Sequence, residues 1–222
     1  MKRLLRAQGL AQEPGRRERG QGLVEFALVL PILVLLVVST GELGLIFGKM
    51  HSLGYASREG ARVGAAMAQG VGCPTGTSNA DPSKVDDTLI GAVQRILTSP
   101  DSGIRLADVP EIRIFKASST GGETSGTVSQ WTPLAEGELG TEIDPGPGTV
   151  RISFARREWN WSACRRRNTG GMANLNNVES IGVTVKYRYD FVTPLPALLD
   201  ALSGGALSLT LSQTTVMALN PT

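Results

Sequence analysis

A long apolar run near the N-terminus limits the folds that are open to this chain of 222 residues. Residues 23–47 read LVEFALVLPILVLLVVSTGELGLIF, and the 20 residues at 26–45 form its centre. A helix of that length, at ~1.5 Å per residue, spans the ~30 Å hydrocarbon core of a bilayer. Six basic and two acidic residues in positions 1–20 give a net charge of +4 ahead of the run. This charge predicts a cytoplasmic N-terminus, with the rest of the chain on the outer side of the membrane.

A secretory signal peptide or a plain signal anchor would also contain an apolar run. A signal peptide has a shorter apolar region, of ~7–15 residues, and a small-residue cleavage site after it. Hydropathy alone does not distinguish a plain signal anchor from an anchor that has a further role. Glu25 does, because a carboxylate just inside the membrane costs roughly a few kcal/mol unless it is paired or hydrated. An ordinary anchor gains nothing from that cost.

The residues around Glu25 offer a reason for its presence. A basic leader ends in Gly20, and a cut between Gly20 and Gln21 would make Glu25 the fifth residue of the mature chain. This arrangement resembles a type IV prepilin cleavage site. The resemblance implies that Glu25 meets the new α-amino group of a neighbouring subunit, since two buried opposite charges offset each other's desolvation. The alternative is a glutamate that reaches the cytoplasmic interface.

Two stretches narrow the resemblance. Residues 20–36 read GQGLVEFALVLPILVLL and residues 56–67 read ASREGARVGAAM. Together they resemble the TadE/TadG-like family of minor pilins, or pseudopilins, of the Tad (Flp) type IVb pilus system. The matching positions are Gly20, Gln21, Val24, Glu25, Phe26, Ala27, Leu30, Pro31, Arg58, Glu59, Gly60, Ala61 and Arg62. The TadE and TadG types both stay open, and the modest outer domain favours TadE.

The resemblance implies an organisation, a location and a set of partners. A basic leader over 1–20 is removed, a long helix covers 21–70 with its membrane span at about 23–47, and an extracytoplasmic domain covers 71–222. The location is the bacterial inner membrane, with a single pass, or the pilus itself. The partners are a prepilin peptidase, other pilin or pseudopilin subunits, the pilus assembly platform and the lipid bilayer. No cofactor, metal or nucleic acid is expected.

Several residues of the long helix carry two interpretations each. Pro31 lacks an N–H and predicts a kink, which either eases extraction from the bilayer or is simply tolerated. Small residues at spacings of three or four either contact a partner helix or pack within the chain; these are Gly41, Gly44 and Gly48. Glu59 and Arg62 have the spacing of a helical ion pair. The stretch 58–62 is therefore either a solvated face or a docking site, and we expect residues 53–67 to pack on the following domain.

The rest of the chain predicts an α+β fold. Asp81 and Pro82 are typical of a helix start, and an amphipathic pattern follows to Leu97. Alternating residues predict strands over 111–116, 149–155, 181–191 and 206–219, whereas residues 118–148 have the composition of a long loop. The prediction is a long N-terminal transmembrane helix that continues into a pilin-like domain with a short helix and an antiparallel sheet of about four strands.

Cysteines and an arginine- and tryptophan-rich segment complete the candidate residues. Cys73 and Cys164 form a disulfide outside the cytoplasm or remain thiols. The segment 156–167 predicts a surface contact with anionic lipid, polysaccharide or another subunit, or else a loop with partly buried tryptophans. Its candidate residues are Arg156, Arg157, Trp159, Trp161, Arg165, Arg166 and Arg167.

The preferred function is that of a structural minor pilin. The alternative is a single-pass, membrane-tethered adhesin or binding module, which needs neither Gly20 nor Glu25. An exported enzyme is disfavoured, because the sequence has no GxSxG, HExxH or phosphate-binding glycine loop. Its single histidine, His51, falls on the long helix.

Overall fold

The computed structural model describes residues 15–67, 84–143, 148–166, 178–193 and 209–220, with side chains from residue 20 onward. Contacts between Cα atoms divide the chain into two compact units, Met1–Leu43 and Gly44–Thr222.

Helix α1 covers Gly15–Met67 and includes Pro31. It begins earlier than the predicted start at residue 21, because arginine and glutamate at 16–19 favour helix and nothing before Gly20 interrupts it. In the first unit, side chains 20–37 are all exposed although most are apolar. From Gly20 onward α1 is long and apolar enough to cross a membrane. An apolar helix surface left uncovered by the described residues supports the predicted membrane anchor.

Helix α2 covers Val85–Leu97. Its N-cap residue Lys84 has a left-handed backbone with φ 49°, so the helix begins three residues after the predicted start. The predicted capping residues, Asp81 and Pro82, lie outside the described residues. The amphipathic pattern is confirmed, because Leu89 and Val93 are fully buried.

Among the described residues, seven strands follow α1 and α2, together with short 3₁₀ turns at Leu106–Asp108 and Ala163–Arg165. The strands are β1 Glu111–Ala117, β2 Glu123–Pro133, β3 Glu142–Ile143, β4 Val150–Arg151, β5 Phe154–Trp159, β6 Ser180–Tyr189 and β7 Leu209–Ala218. Five of them form an antiparallel sheet in the order β5-β2-β1-β6-β7, and β3 pairs with β4. The α+β class is therefore confirmed, with five strands in the main sheet rather than about four.

Strand β2 corrects the predicted loop over 118–148. Its sequence, ETSGTVSQWTP, has the polar composition of a loop, but β2 pairs with both β1 and β5. Trp131 lies opposite Ile112 and is buried, while most other residues of β2 are partly exposed. One anchoring tryptophan and two neighbouring ladders thus hold a strand that lacks an apolar alternation.

The predicted strand over 149–155 is divided between two sheets. Val150 and Arg151 pair with β3, whereas residues from Phe154 onward pair with β2. The side chain of Gln94 in α2 forms hydrogen bonds with the backbone at the break. Its Nε2 donates to the carbonyl oxygen of Arg151 at 2.9 Å, and its Oε1 accepts from the N–H of Ser153 at 2.7 Å. A side chain from another element therefore ends one strand and starts the next.

The last two strands lie close to their predicted ranges, although β6 ends at Tyr189 rather than at residue 191. On β6, the predicted inward residues Val183, Val185, Tyr187 and Tyr189 are buried. On β7, Leu211 is buried and the alternating residues Thr210 and Ser212 are exposed. Residues 206–208 of the predicted strand lie outside the described part of the chain.

Candidate functional site

The predicted processing site lies on the exposed part of α1. Gly20, Gln21 and Glu25 are exposed, and Gln21 Nε2 donates a hydrogen bond to Glu25 Oε1 at 3.2 Å. Helix α1 continues through Pro31. The carboxylate of Glu25 therefore lies within the apolar stretch, where its described contact is a neutral amide one turn away.

The glycines near the predicted outer end of the span have open surroundings. A Cβ atom built at Gly41, Gly44 or Gly48 would meet no atom within 4 Å. All three positions are exposed. The prediction that they contact a partner helix stays a prediction, and none of the three packs within the described chain.

The stretch 58–62 combines a buried side and an exposed side. Gly60 and Ala61 are buried, whereas Arg58 and Arg62 are exposed. Burial of this side confirms the expected packing of residues 53–67 on the domain. Sequence spacing alone had not decided which of the five residues faced inward.

Glycine at position 60 lets three elements approach one another. A Cβ at Gly60 would lie 2.5 Å from Val93 Cγ2 of α2 and 3.3 Å from Val183 Cγ1 of β6. One turn later, a Cβ at Gly64 would lie 2.6 Å from Ile181 Cδ1. Both glycines therefore serve close packing of α1 against α2 and the sheet.

Glu59 is held at the edge of this contact by two arginines. Arg62 Nε and Nη2 donate to the two carboxylate oxygens at 2.8 and 2.7 Å, which confirms the predicted pair. Arg95 Nη2 of α2 lies 3.8 Å from Glu59 Oε1. The hydrogen bonds from Arg62 lower the pKa of Glu59 below its usual value, and the charge of Arg95 acts in the same direction. Sequence reasoning missed Arg95, whose only local signal is its place in the last turn of α2.

Arg58 differs from these two arginines, since the ion pairs among the described residues do not include it. It follows His51 and Tyr55 on one exposed face of α1. The rings of His51 and Tyr55 have centroids 5.2 Å apart. Phe47 precedes them by one turn and is 65% exposed. Sequence reasoning left the stretch 58–62 as either a solvated face or a docking site and missed the aromatic residues before Arg58, which their spacing of four residues would have revealed.

Two candidate residues of the arginine- and tryptophan-rich segment are folded inward, which corrects the surface-contact prediction for these two. Trp161 and Arg166 are buried, and Arg166 forms an ion pair with the equally buried Asp86 of α2. The Arg166 guanidinium also lies 4.9 Å from the ring of Trp161. An aspartate of α2 thus pairs with an arginine that sequence reasoning assigned to the surface.

The other arginines of the segment also have partners. Arg156 lies 4.1 Å from the Trp159 ring and 5.1 Å from the Trp131 ring, and it pairs with Asp87 at 3.2 Å. Arg157 pairs with Glu138 at 2.6 Å. Arg165 is exposed and donates to a backbone carbonyl, and Arg167 lies outside the described residues.

Cys164 lies in the 3₁₀ turn between Trp161 and Arg166 and is disulfide-bonded. Cys73 lies outside the described residues. Among the residues that the structure describes, no cluster of three or more histidine, cysteine, aspartate or glutamate side chains is arranged to hold a metal ion.

Comparison with protein families identifies the N-terminal part of the chain. Residues 20–62 match the family model described as TadE-like protein. The match contains the predicted processing site, the exposed apolar helix and the stretch 58–62, and it confirms the resemblance found in the sequence. Neither curated proteins nor solved structures gave a significant match. The TadE-like region supports a part for this chain in Tad pilus assembly as a pilin-like protein, and its apolar helix supports anchoring in a membrane of the cell envelope.

Proposed function

We propose that the chain is a structural minor pilin, or pseudopilin, of a Tad pilus, and that a prepilin peptidase cuts it between Gly20 and Gln21. The observation that carries this proposal is the position of Glu25. Its carboxylate lies in an apolar helical stretch whose side chains are all exposed, within the region that matches the TadE-like family. A lone carboxylate there disfavours a plain anchor, whereas assembly gives it a partner.

The partner is the α-amino group that the cut creates on a neighbouring subunit. In the uncut chain Glu25 accepts only the neutral amide of Gln21 at 3.2 Å among its described contacts. After the cut, Gln21 carries a charged amine. An amine and a carboxylate that enter lipid together offset each other's desolvation, which neither does alone. Processing would thus supply the charge that lets this helix join others in the membrane.

The same proposal includes the organisation of the chain. Residues 1–20 form the leader, residues 21–70 the long helix and residues 71–222 a domain outside the cytoplasm. The anchor lies in the bacterial inner membrane with its N-terminus in the cytoplasm, and the partners are the peptidase, other pilin subunits and the assembly platform. A disulfide at Cys164 is consistent with an oxidising compartment. We propose Cys73, the other cysteine of the sequence, as its partner.

N-terminal mass spectrometry of the membrane-extracted protein tests the proposal. Cells with an active prepilin peptidase should yield a chain that begins at Gln21, and cells without it should yield the uncut chain. A chain that keeps residues 1–20 in the presence of the peptidase would contradict the proposal. It would favour the tethered binding module instead.

Two substitutions separate processing from assembly. Glu25→Ala should leave cleavage intact but reduce incorporation into the pilus, because the neighbouring amine loses its counter-charge. Glu18→Ala removes a carboxylate from the predicted leader and is the matched control, with no expected effect on incorporation. Normal incorporation of the Glu25→Ala chain would refute the role of Glu25 even if cleavage occurs after Gly20.

A further inference from the structure

The two edges of the five-stranded sheet differ in their suitability for pairing with another strand. Edge strand β5 has six residues, three of them charged, namely Arg156, Arg157 and Glu158. Edge strand β7 has ten residues, LTLSQTTVMA, without a charge, a proline or a glycine. Charges and prolines are the usual protection of an edge against pairing. Among the described strands, β7 pairs with β6 and no strand pairs with its other side.

A groove runs beside β7. It has a volume of about 330 Å³ and lies between Gln213 of β7 and the residues of α1 that face this strand. The lining residues of α1 are Phe47, Met50, His51, Gly54, Tyr55 and Arg58. No atom lies within 4 Å of the place where a Cβ of Gly54 would be, which gives the groove its depth. An edge strand beside an open groove with aromatic walls is the arrangement that accepts an added strand in peptide-binding domains.

One charge is available at the rim of this groove. Arg58 is exposed, and the ion pairs of the described residues do not include it, whereas Arg62 on the next turn is paired with Glu59. The walls that precede Arg58 along α1, Phe47 and Tyr55, are 65% and 56% exposed. The groove therefore favours a segment with apolar side chains and one carboxylate.

We propose that an extended segment of a different protein chain adds to the free edge of β7, with its alternate apolar side chains in the groove and a carboxylate against Arg58. The backbone of β7 supplies the hydrogen bonds, and its ten residues offer a ladder of up to ~33 Å. The proposal rests on the fold of the second unit and does not depend on the proposed cleavage or on the role of Glu25.

A second copy of this chain fits the edge less well. Along α1, Ser57 contacts Thr215 and Ala65 contacts Asn220, so this part of α1 runs in the same direction as β7. In an antiparallel pair of β7 strands, the parts of the two α1 helices that pack on them would therefore run in opposite directions. A second β7 strand also carries no carboxylate that could face Arg58.

Selection from a displayed library of random decapeptides, on the full chain in lipid nanodiscs, tests the proposal. The selected peptides should alternate apolar and polar residues and share one acidic position. Arg58→Glu should weaken binding of these peptides by roughly 3- to 10-fold, as expected for reversal of a partly exposed pair, and should select basic residues at that position. Arg188→Glu, an exposed arginine on the other face of the sheet, is the matched control and should change neither result.

A second pair of variants tests the edge itself. Neighbouring residues of an edge strand point their N–H groups alternately towards and away from the sheet, so one of Ser212→Pro and Gln213→Pro spares the ladder to β6. Circular dichroism identifies the proline variant whose strand content is unchanged, and this variant should lose peptide binding. Binding that survives in that variant, selected peptides with helical spacing, or no enrichment would each overturn the proposal. Concentration-dependent dimers that the same variant abolishes would overturn it too, in favour of a second copy.

Discussion

Replacing Gly60 with alanine tests whether this residue of the stretch 58–62 serves the packing of α1. The added Cβ would lie 2.5 Å from Val93 Cγ2 on one side and 3.3 Å from Val183 Cγ1 on the other. Carbon atoms in good contact are ~3.5–4.0 Å apart. Because the two contacts belong to different elements, α2 and β6, a shift of α1 away from one of them does not relieve both.

The size of the effect follows from two opposing terms. Overpacking a tightly packed core costs ~1–3 kcal/mol. Alanine in place of a helical glycine returns up to ~1 kcal/mol. Gly54→Ala on the same helix is the matched control, because its Cβ would meet nothing within 4 Å and only the second term applies. The helix term cancels in the comparison, so Gly60→Ala should be less stable than Gly54→Ala by ~1–3 kcal/mol.

Thermal unfolding of both variants in the same detergent measures this difference. Near-ultraviolet circular dichroism follows the second unit, where Trp131 and Trp161 are buried. A change of 1 kcal/mol shifts the Tm of a domain of 150–250 residues by ~2–4 °C, so the two variants should differ by ~2–12 °C. If Gly60→Ala is as stable as Gly54→Ala, the close approach of the three elements does not require glycine, and the packing role assigned to this position is wrong.

Two further predictions concern the charged contacts of the second unit. Asp86→Ala or Arg166→Met alone should each lower the free energy of unfolding by ~3–5 kcal/mol, because each leaves a buried charge behind, and the double variant should lose clearly less than the sum; additive losses in a double-mutant cycle would contradict this. Hydrogen bonds from Arg157 and from the backbone of Ala135 lower the pKa of Glu138 to about 2. Their stabilisation should therefore be complete above the ordinary pKa of 4.5 and be lost as the pH falls towards 2; an NMR titration of Glu138 checks this, with Arg157→Gln as the control that raises the pKa towards its ordinary value while the hydrogen bond from Ala135 remains.

The parts of the fold that the sequence predicted are those with a strong local pattern. β6 carries buried side chains at alternate positions such as Val183 and Val185, and α2 carries a regular apolar face. β2 lacks such a pattern. Its two neighbouring strands and one buried tryptophan, Trp131, keep it in the sheet. The break after Arg151 depends on the amide of Gln94, which is distant in sequence and lies outside the local pattern of 149–155.

The candidate site residues also divide into those that a local motif predicted and those that depend on partners distant in sequence. Gly20 and Glu25 belong to one short motif and residues 58–62 to a second one, and both motifs fall within the region that matches the TadE-like family. Arg156 and Arg166 were assigned to the surface because their partners, the two aspartates in the first turn of α2, are about 70 to 80 residues away in sequence. Burial of a charged side chain depends on such a partner, and a sequence shows the charge but not the partner.

Glycine has two different uses along α1, and only the surroundings distinguish them. Gly60 and Gly64 would both bring a Cβ to within 2.6 Å of a side-chain atom, so they are already in use within the chain. Gly48 has the same spacing pattern but no neighbour within 4 Å. The closely packed glycines, Gly60 and Gly64, hold α1 against its own domain. The glycines of α1 from Gly20 to Gly54 have open surroundings. Contact of the open glycines with other helices stays a prediction.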